Sequence, residues 1–166
     1  MTWTEKVLLW SSTLVVGITG LVYAWMKYLL PPVDPYSAIH HPLQPLVLKI
    51  HLVAAPFLVF AVGLVFTQHI WGQFRAGLKR GRRSGVGTLL TLVPMVLSGY
   101  LIQVVTAESW LFWLAMTHLV TGSLFVLGFT SHQVAMWTRQ ARARRRAAES
   151  SPPAPDRRPP RAVPPA

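Results

Sequence analysis

The chain has 166 residues, of which 52% are hydrophobic and only 13% are charged. Soluble globular domains carry about 25% charged residues, so this composition argues against a soluble fold. The same hydrophobicity argues against disorder over most of the length. No cysteine is present, which excludes disulfides and every metal site that depends on thiolate ligands.

Four stretches without Asp, Glu, Lys or Arg are long enough to cross a bilayer, which takes about 20 apolar residues. They run from Val7 to Met26, Ile50 to Phe74, Ser84 to Ala107 and Ser109 to Thr138. The sequence therefore predicts an all-α membrane protein, a four-helix transmembrane bundle with helices over about residues 7–30, 46–74, 84–106 and 109–138. This domain occupies residues 1–146, and the Pro- and Arg-rich residues 147–166 are predicted to form a disordered cytoplasmic tail.

Basic residues predict the orientation of these helices in the membrane. One cluster lies between the second and third helices and another follows the fourth, and their members are Arg75, Lys79, Arg80, Arg82 and Arg83, and Arg139, Arg142, Arg144, Arg145 and Arg146. Because basic residues concentrate on the cytoplasmic side, both clusters and both termini are predicted to be cytoplasmic. Topology therefore accounts for most of the net charge of +11, and no nucleic-acid partner is predicted.

Four of the six histidines lie inside predicted helices, His51 and His69 in the second and His118 and His132 in the fourth. At 100° per residue, both spacings return each pair to nearly the same helix face. The two helices run in the same direction, so His51 and His118 lie toward the outside, and His69 and His132 toward the cytoplasm. Each level then holds two imidazoles, which suits the axial ligands of a haem iron. A bare zinc or copper ion would need further ligands, so the sequence predicts two non-covalent b-type haems.

The four helices also fall into two similar hairpins. Both histidine-bearing helices open with His-Leu-Val, at His51 and His118, and each preceding helix joins a hydroxyl residue to a glycine, at Gly20 and Gly99. Glycine lets a flat ring or another helix approach closely. Both glycines are therefore candidate haem contacts, with ordinary helix packing as the alternative.

With these histidines and glycines, the chain resembles the four-helix di-haem membrane cytochromes b. That group includes the haem-bearing core of the quinol–cytochrome c oxidoreductase cytochrome b and the small cytochrome b anchors of bacterial respiratory dehydrogenases and hydrogenases. The resemblance covers about Val7 to Trp137, and its most specific element is the H-x13-H spacing of His118 and His132. It implies that His51 and His118 hold the outer haem, and His69 and His132 the inner one.

The resemblance also implies a function. The chain would pass electrons across a bacterial inner membrane between the quinone pool and a partner protein, either a c-type cytochrome or a dehydrogenase subunit. It would be an electron-transfer subunit of a quinol-linked oxidoreductase complex, with quinone or quinol as a further ligand. The sequence predicts no catalytic residue of its own.

The second helix departs from the family pattern, because its histidines are eighteen residues apart rather than fourteen. At 1.5 Å per residue the difference is about 6 Å along the helix. A kink at Pro56, a bulge near Gly63 or a tilted haem plane are three ways to absorb it. Another is that a loop histidine, His40 or His41, replaces His51 as the outer ligand.

Haem propionates need cationic partners, and Lys49 is placed for the outer haem while Arg75 and Arg139 are placed for the inner one. The alternative for the two arginines is that they only follow the positive-inside rule. A different class of function is a haem-free four-helix membrane scaffold or transport subunit, in which the histidines contact neighbouring helices. A third is a haem-carrying assembly or transport protein without redox turnover.

Overall fold

A computed structural model of the chain describes residues 2–32, 34, 36–66 and 82–149, with the backbone alone for 82–86. The regular structure in these ranges is helical. It consists of α1 (Trp3–Tyr28), α2 (Gln44–Val65), α3 (Arg82–Val104) and α4 (Glu108–Glu149). All four helices are long and apolar enough to cross a membrane. The prediction of an all-helical protein with four membrane-length helices is therefore confirmed for the described part of the chain.

Helix α1 begins at Trp3, four residues before the charge-free stretch, because its first turn is capped by polar side chains. The backbone N–H of Glu5 donates to Thr2 Oγ1 at 3.2 Å, and the backbone N–H of Thr2 donates to Glu5 Oε2 at 3.0 Å. This reciprocal pair is a capping box, which satisfies two N–H groups that a helix start leaves unpaired. A search for uncharged residues cannot detect such a polar first turn.

Helix α2 begins at Gln44, with Pro45 in its first turn, and continues through Pro56 to Val65. Proline suits the start of a helix because the N–H it lacks has no helical partner there. The next residue, Phe66, is π-helical. The remainder of the predicted second helix, which includes His69, and the predicted propionate partner Arg75 lie outside the described residues.

Apolar side chains from all four helices form one core. Its buried members are Leu9 and Val16 of α1, Leu58, Ala61 and Val65 of α2, Leu92 and Met95 of α3, and Phe125 and Phe129 of α4. Most other large apolar side chains face outward and are well exposed, such as Leu127 and Leu90. Exposed apolar surface on this scale is unusual for a soluble protein but is what a membrane-spanning segment presents to lipid.

Small residues and aromatic contacts bring α4 against its neighbours. A Cβ atom added to Gly17 of α1 would lie 3.2 Å from Val126 of α4. About two turns toward the N-terminus of α1, the Trp10 ring contacts Phe129 edge-on, with ring centres 5.2 Å apart. Without a hydrophobic force between helices in lipid, such close approach at small residues is a main source of association.

The chain divides into two compact units, Met1–His132 and Gln133–Ala166. In the second unit the described residues continue α4 to Glu149, beyond the predicted helix end near residue 138. Alanine, arginine and glutamine, which dominate this stretch, are good helix formers in water. The first three residues of the predicted disordered tail, 147–149, are therefore helical, and residues 150–166 lie outside the described part.

Candidate cofactor site

The side chains of His51 and His118 lie next to each other inside the first unit. Their centres are 6.1 Å apart, and their planes are nearly perpendicular, at 89°. One ring comes from α2 and the other from α4, and both are partly buried. The structure thus brings together the two histidines that the sequence places at the outer level.

Each of these rings is hydrogen-bonded at Nδ1 to a backbone carbonyl of an adjacent helix. His51 donates to the Val16 carbonyl of α1 at 3.1 Å, and His118 donates to the Met95 carbonyl of α3 at 2.8 Å. A carbonyl oxygen only accepts, so Nδ1 carries the proton and the neutral ring keeps a lone pair on Nε2. Metal-ligating histidines are typically held in this way, by a hydrogen bond from the nitrogen that does not bind the metal.

Glycines on α1 and α3 give the two rings their room. A Cβ atom on Gly20 would lie 3.0 Å from Cε1 of His51, and one on Gly99 would lie 2.9 Å from Cε1 of His118. Both distances are shorter than ordinary carbon–carbon contacts of about 3.5–4.0 Å. The space beside each glycine is therefore occupied by an imidazole ring, that of His51 at Gly20 and that of His118 at Gly99. A direct haem contact at either glycine stays a prediction.

The two halves of the site repeat one pattern along their first helices. On α1 the accepting carbonyl, a hydroxyl residue and the glycine occupy Val16, Thr19 and Gly20. On α3 the same roles fall to Met95, Ser98 and Gly99, with the same spacing. Sequence reasoning missed the two carbonyl residues, because every residue has a carbonyl. The available signal was the glycine, which lies one helical turn beyond the carbonyl on the same face.

The two hydroxyl residues differ in their contacts with the rings. The Thr19 hydroxyl lies 3.2 Å from Nδ1 of His51. Both hydroxyls also hydrogen-bond to carbonyls of their own helix, Thr19 to Val15 at 2.6 Å and Val16 at 3.3 Å, and Ser98 to Pro94 at 2.6 Å and Met95 at 3.1 Å. The His51 ring therefore has two oxygen partners at Nδ1, whereas the contacts of the described residues give His118 one.

The spacing of the two rings is compatible with two axial ligands of one haem iron. With metal–imidazole bonds of about 2.0 Å and ring centres about 1.2 Å behind the nitrogens, two axial rings would have centres about 6.4 Å apart. The observed 6.1 Å is close to this value. Among the described residues no third His, Asp or Glu joins the pair, and the chain has no cysteine. Two imidazoles alone suit a metal whose other four ligands come from a macrocycle.

Two further predicted site residues, His132 and Lys49, are among those that the structure describes. His132 follows His118 by fourteen residues on α4, about 21 Å further along the helix. Its predicted partner, His69, lies outside the described residues, so the inner pair stays a prediction. Lys49 is exposed near the start of α2, two residues before His51.

The two loop histidines take part in the fold of the loop. His40 donates from Nδ1 to the Leu30 carbonyl at 2.9 Å. His41 accepts the backbone N–H of Leu43 at its Nδ1, at 3.1 Å. The sequence did not decide whether His51 or one of these loop histidines partners His118, and in the structure the ring next to His118 is that of His51.

Comparisons with known proteins give no family for this chain. No protein-family model, no curated protein and no solved structure matches it. The resemblance to the di-haem cytochromes b therefore stays an expectation from its residues. What the structure adds to it is the arrangement around His51 and His118.

Proposed function

We propose that the chain is a b-type membrane cytochrome that binds haem between His51 and His118 and carries electrons across a membrane. The observation that carries this proposal is the pair of imidazoles with ring centres 6.1 Å apart. Both rings are fixed at Nδ1 by backbone carbonyls, so that both Nε2 atoms are left to ligate. The helices that carry them are long and apolar enough to span a bilayer.

The chain's own residues would orient the axial ligands and keep water from them. The carbonyls of Val16 and Met95 fix the tautomer and the tilt of the two rings. Two turns further along α2 and α4, Leu58 and Phe125 are almost completely buried, at 2% and 4% exposed. A haem bound here supplies a one-electron centre whose potential depends on its axial ligands, their hydrogen bonds and burial.

The proposal includes a second haem at the cytoplasmic level, between His69 and His132. Electrons would then cross the membrane in two steps, because the two levels are about 21 Å apart along α4. The proposal also puts both termini in the cytoplasm and pairs Lys49 with the outer propionates and Arg75 with the inner ones. The matching contacts of Gly20 with His51 and of Gly99 with His118 support the accompanying idea of two repeated hairpins.

The resemblance supplies the rest of the proposal. The chain would lie in a bacterial inner membrane and exchange electrons with the quinone pool. Its protein partner would be a c-type cytochrome or a dehydrogenase subunit. It would then act as one subunit of a quinol-linked oxidoreductase complex.

The test is haem content of the full chain, expressed with haem precursor supplied and purified in detergent. We expect two b haems per chain by pyridine haemochrome and a reduced-minus-oxidised difference spectrum typical of b haems. His51→Ala and His118→Ala should each lose the same single haem, and His41→Ala is the matched control that should keep both.

Other outcomes separate the parts of the proposal. A wild-type chain with one haem, which is lost in His118→Ala and kept in His132→Ala, would support the outer site and contradict the inner one. Full haem content in His51→Ala would show that the outer pair is wrongly assigned. A wild-type chain that binds no haem would favour the haem-free scaffold or transport subunit.

A further inference from the structure

The two halves of the His51–His118 site have the same backbone plan but unequal hydrogen bonding. At His118 a single short bond of 2.8 Å joins Nδ1 to the Met95 carbonyl. At His51 the Nδ1–H group lies between two oxygens, the Val16 carbonyl at 3.1 Å and the Thr19 hydroxyl at 3.2 Å. The hydroxyl at position 19 is thus the feature that distinguishes one axial ligand from the other.

The role of Thr19 as an acceptor follows from where its own proton goes. Its hydroxyl donates to the Val15 carbonyl at 2.6 Å and makes a longer contact of 3.3 Å with the Val16 carbonyl. A hydroxyl has one proton and two lone pairs, so the oxygen is left to accept from His51. Because the Val16 carbonyl can only accept, the proton in its contact with His51 lies on Nδ1, and this N–H forms a three-centre hydrogen bond with both oxygens.

We propose that Thr19 is a positioning residue that fixes the His51 ring and lowers the reduction potential of the outer haem. An acceptor at Nδ1–H makes the imidazole a stronger electron donor at Nε2, which favours the oxidised iron. The hydroxyl dipole acts in the same direction, because its negative end points at the ligand. Two acceptors on one N–H also resist rotation of the ring, which holds the two imidazole planes near 89°.

Ser98 provides an internal control, because it occupies the equivalent position on α3 without contacting a ring in the described structure. Its hydroxyl donates to Pro94 and, more weakly, to the same Met95 carbonyl that His118 uses. Removing the Ser98 hydroxyl therefore leaves that carbonyl a slightly better acceptor for His118. The Thr19 hydroxyl has the corresponding 3.3 Å contact with the Val16 carbonyl, but its loss also removes an acceptor from His51. Loss of the Thr19 hydroxyl is therefore expected to raise the potential, and loss of the Ser98 hydroxyl to leave it unchanged or lower it.

The experiment is a redox titration of the full chain in detergent, which rests on the proposed function because it needs bound haem. Thr19→Val removes the hydroxyl and keeps the β-branched shape. We expect it to favour reduction of the outer haem threefold to tenfold, a rise of about 28 to 59 mV. Thr19→Ser keeps the hydroxyl and should retain the wild-type potential, and Ser98→Ala should leave it unchanged or lower.

A second readout is the low-spin EPR spectrum of the oxidised outer haem, which depends on the angle between axial imidazole planes. We expect this spectrum to change in Thr19→Val and to be preserved in Thr19→Ser. An unchanged potential in Thr19→Val, or an equal shift in Thr19→Ser, would overturn the role of the hydroxyl while leaving the cytochrome proposal intact. If the wild-type chain bound no haem, both proposals would fail together.

Discussion

Replacing Gly99 with alanine tests how the His118 ring is seated against α3. The added methyl group would lie 2.9 Å from Cε1 and 3.0 Å from Nδ1 of His118. Ordinary contacts between such atoms are about 3.5–4.0 Å, so the ring must move by roughly 0.5–1 Å or the helices must separate. Either movement lengthens the 2.8 Å hydrogen bond from His118 to the Met95 carbonyl.

The expected cost combines opposing contributions. Forcing a methyl group into a packed contact costs about 1–3 kcal/mol, and loss of the hydrogen bond costs about 0.5–1.5 kcal/mol. Alanine is a better helix former than glycine by about 1 kcal/mol, which offsets part of this. The net loss is about 0.5–3.5 kcal/mol, and where it falls on the haem-bound arrangement it corresponds to haem binding about 2- to 300-fold weaker at this site.

The assay is competition for haem between the purified chain and a haem-scavenging protein, followed in the b-haem absorption bands. Gly63→Ala is the matched control, because it makes the same chemical change where, among the described residues and apart from the helix's own backbone, nothing lies within 4 Å of the new atom. We expect the control to hold haem as the wild type does. If Gly99→Ala and Gly63→Ala held haem equally well, the ring would not rest against α3 as described.

Three further predictions use different observations. His132→Ala should remove one haem and leave the outer haem's spectrum and potential in place, measured by pyridine haemochrome and redox titration; loss of both haems would contradict independent sites. The 89° angle between the His51 and His118 planes predicts a strongly anisotropic low-spin EPR signal, and a signal typical of parallel axial planes would contradict it. Thr13→Val should raise the thermal unfolding midpoint by an amount equivalent to about 1–3 kcal/mol, because the buried Thr13 hydroxyl has no hydrogen-bond partner among the described residues; a lowered midpoint would show that the hydroxyl has one.

The helical class of the fold could be predicted from the sequence, because charge-free stretches of bilayer length leave few alternatives. The helix ends could not be predicted in the same way. Helix α1 starts on a Thr2–Glu5 capping box, and α4 continues through residues rich in alanine and arginine to Glu149. In both cases the helix extends into polar sequence, where local capping and propensity decide the boundary instead of hydrophobicity.

The sequence could predict which histidines form the candidate site, but not the hydrogen bonds that hold their rings. Helical spacing and direction place His51 and His118 at one level, and the structure brings them to 6.1 Å. The carbonyls that hold the rings and the contact of Thr19 with His51 depend on helix rotation, which residue spacing within one helix does not determine. The glycines signal a close approach, but only the packed structure shows that an imidazole fills the space.

The repeat of the two hairpins does not extend to the inner pair of predicted histidines, His69 and His132. Sixty-seven residues separate His51 from His118, and the same separation matches His132 with Val65, which is a buried core residue. His69 lies four residues further on, about one turn past the position that strict repetition would give. The π-helical residue Phe66 falls between them, and π-helical turns are often found at functional sites. An inner site made by His69 and His132 is therefore a departure from the repeat, whereas the outer site follows it on both sides. For this reason the outer pair carries the proposed function, and any difference in potential between two bound haems would arise from the unequal surroundings of their ligands.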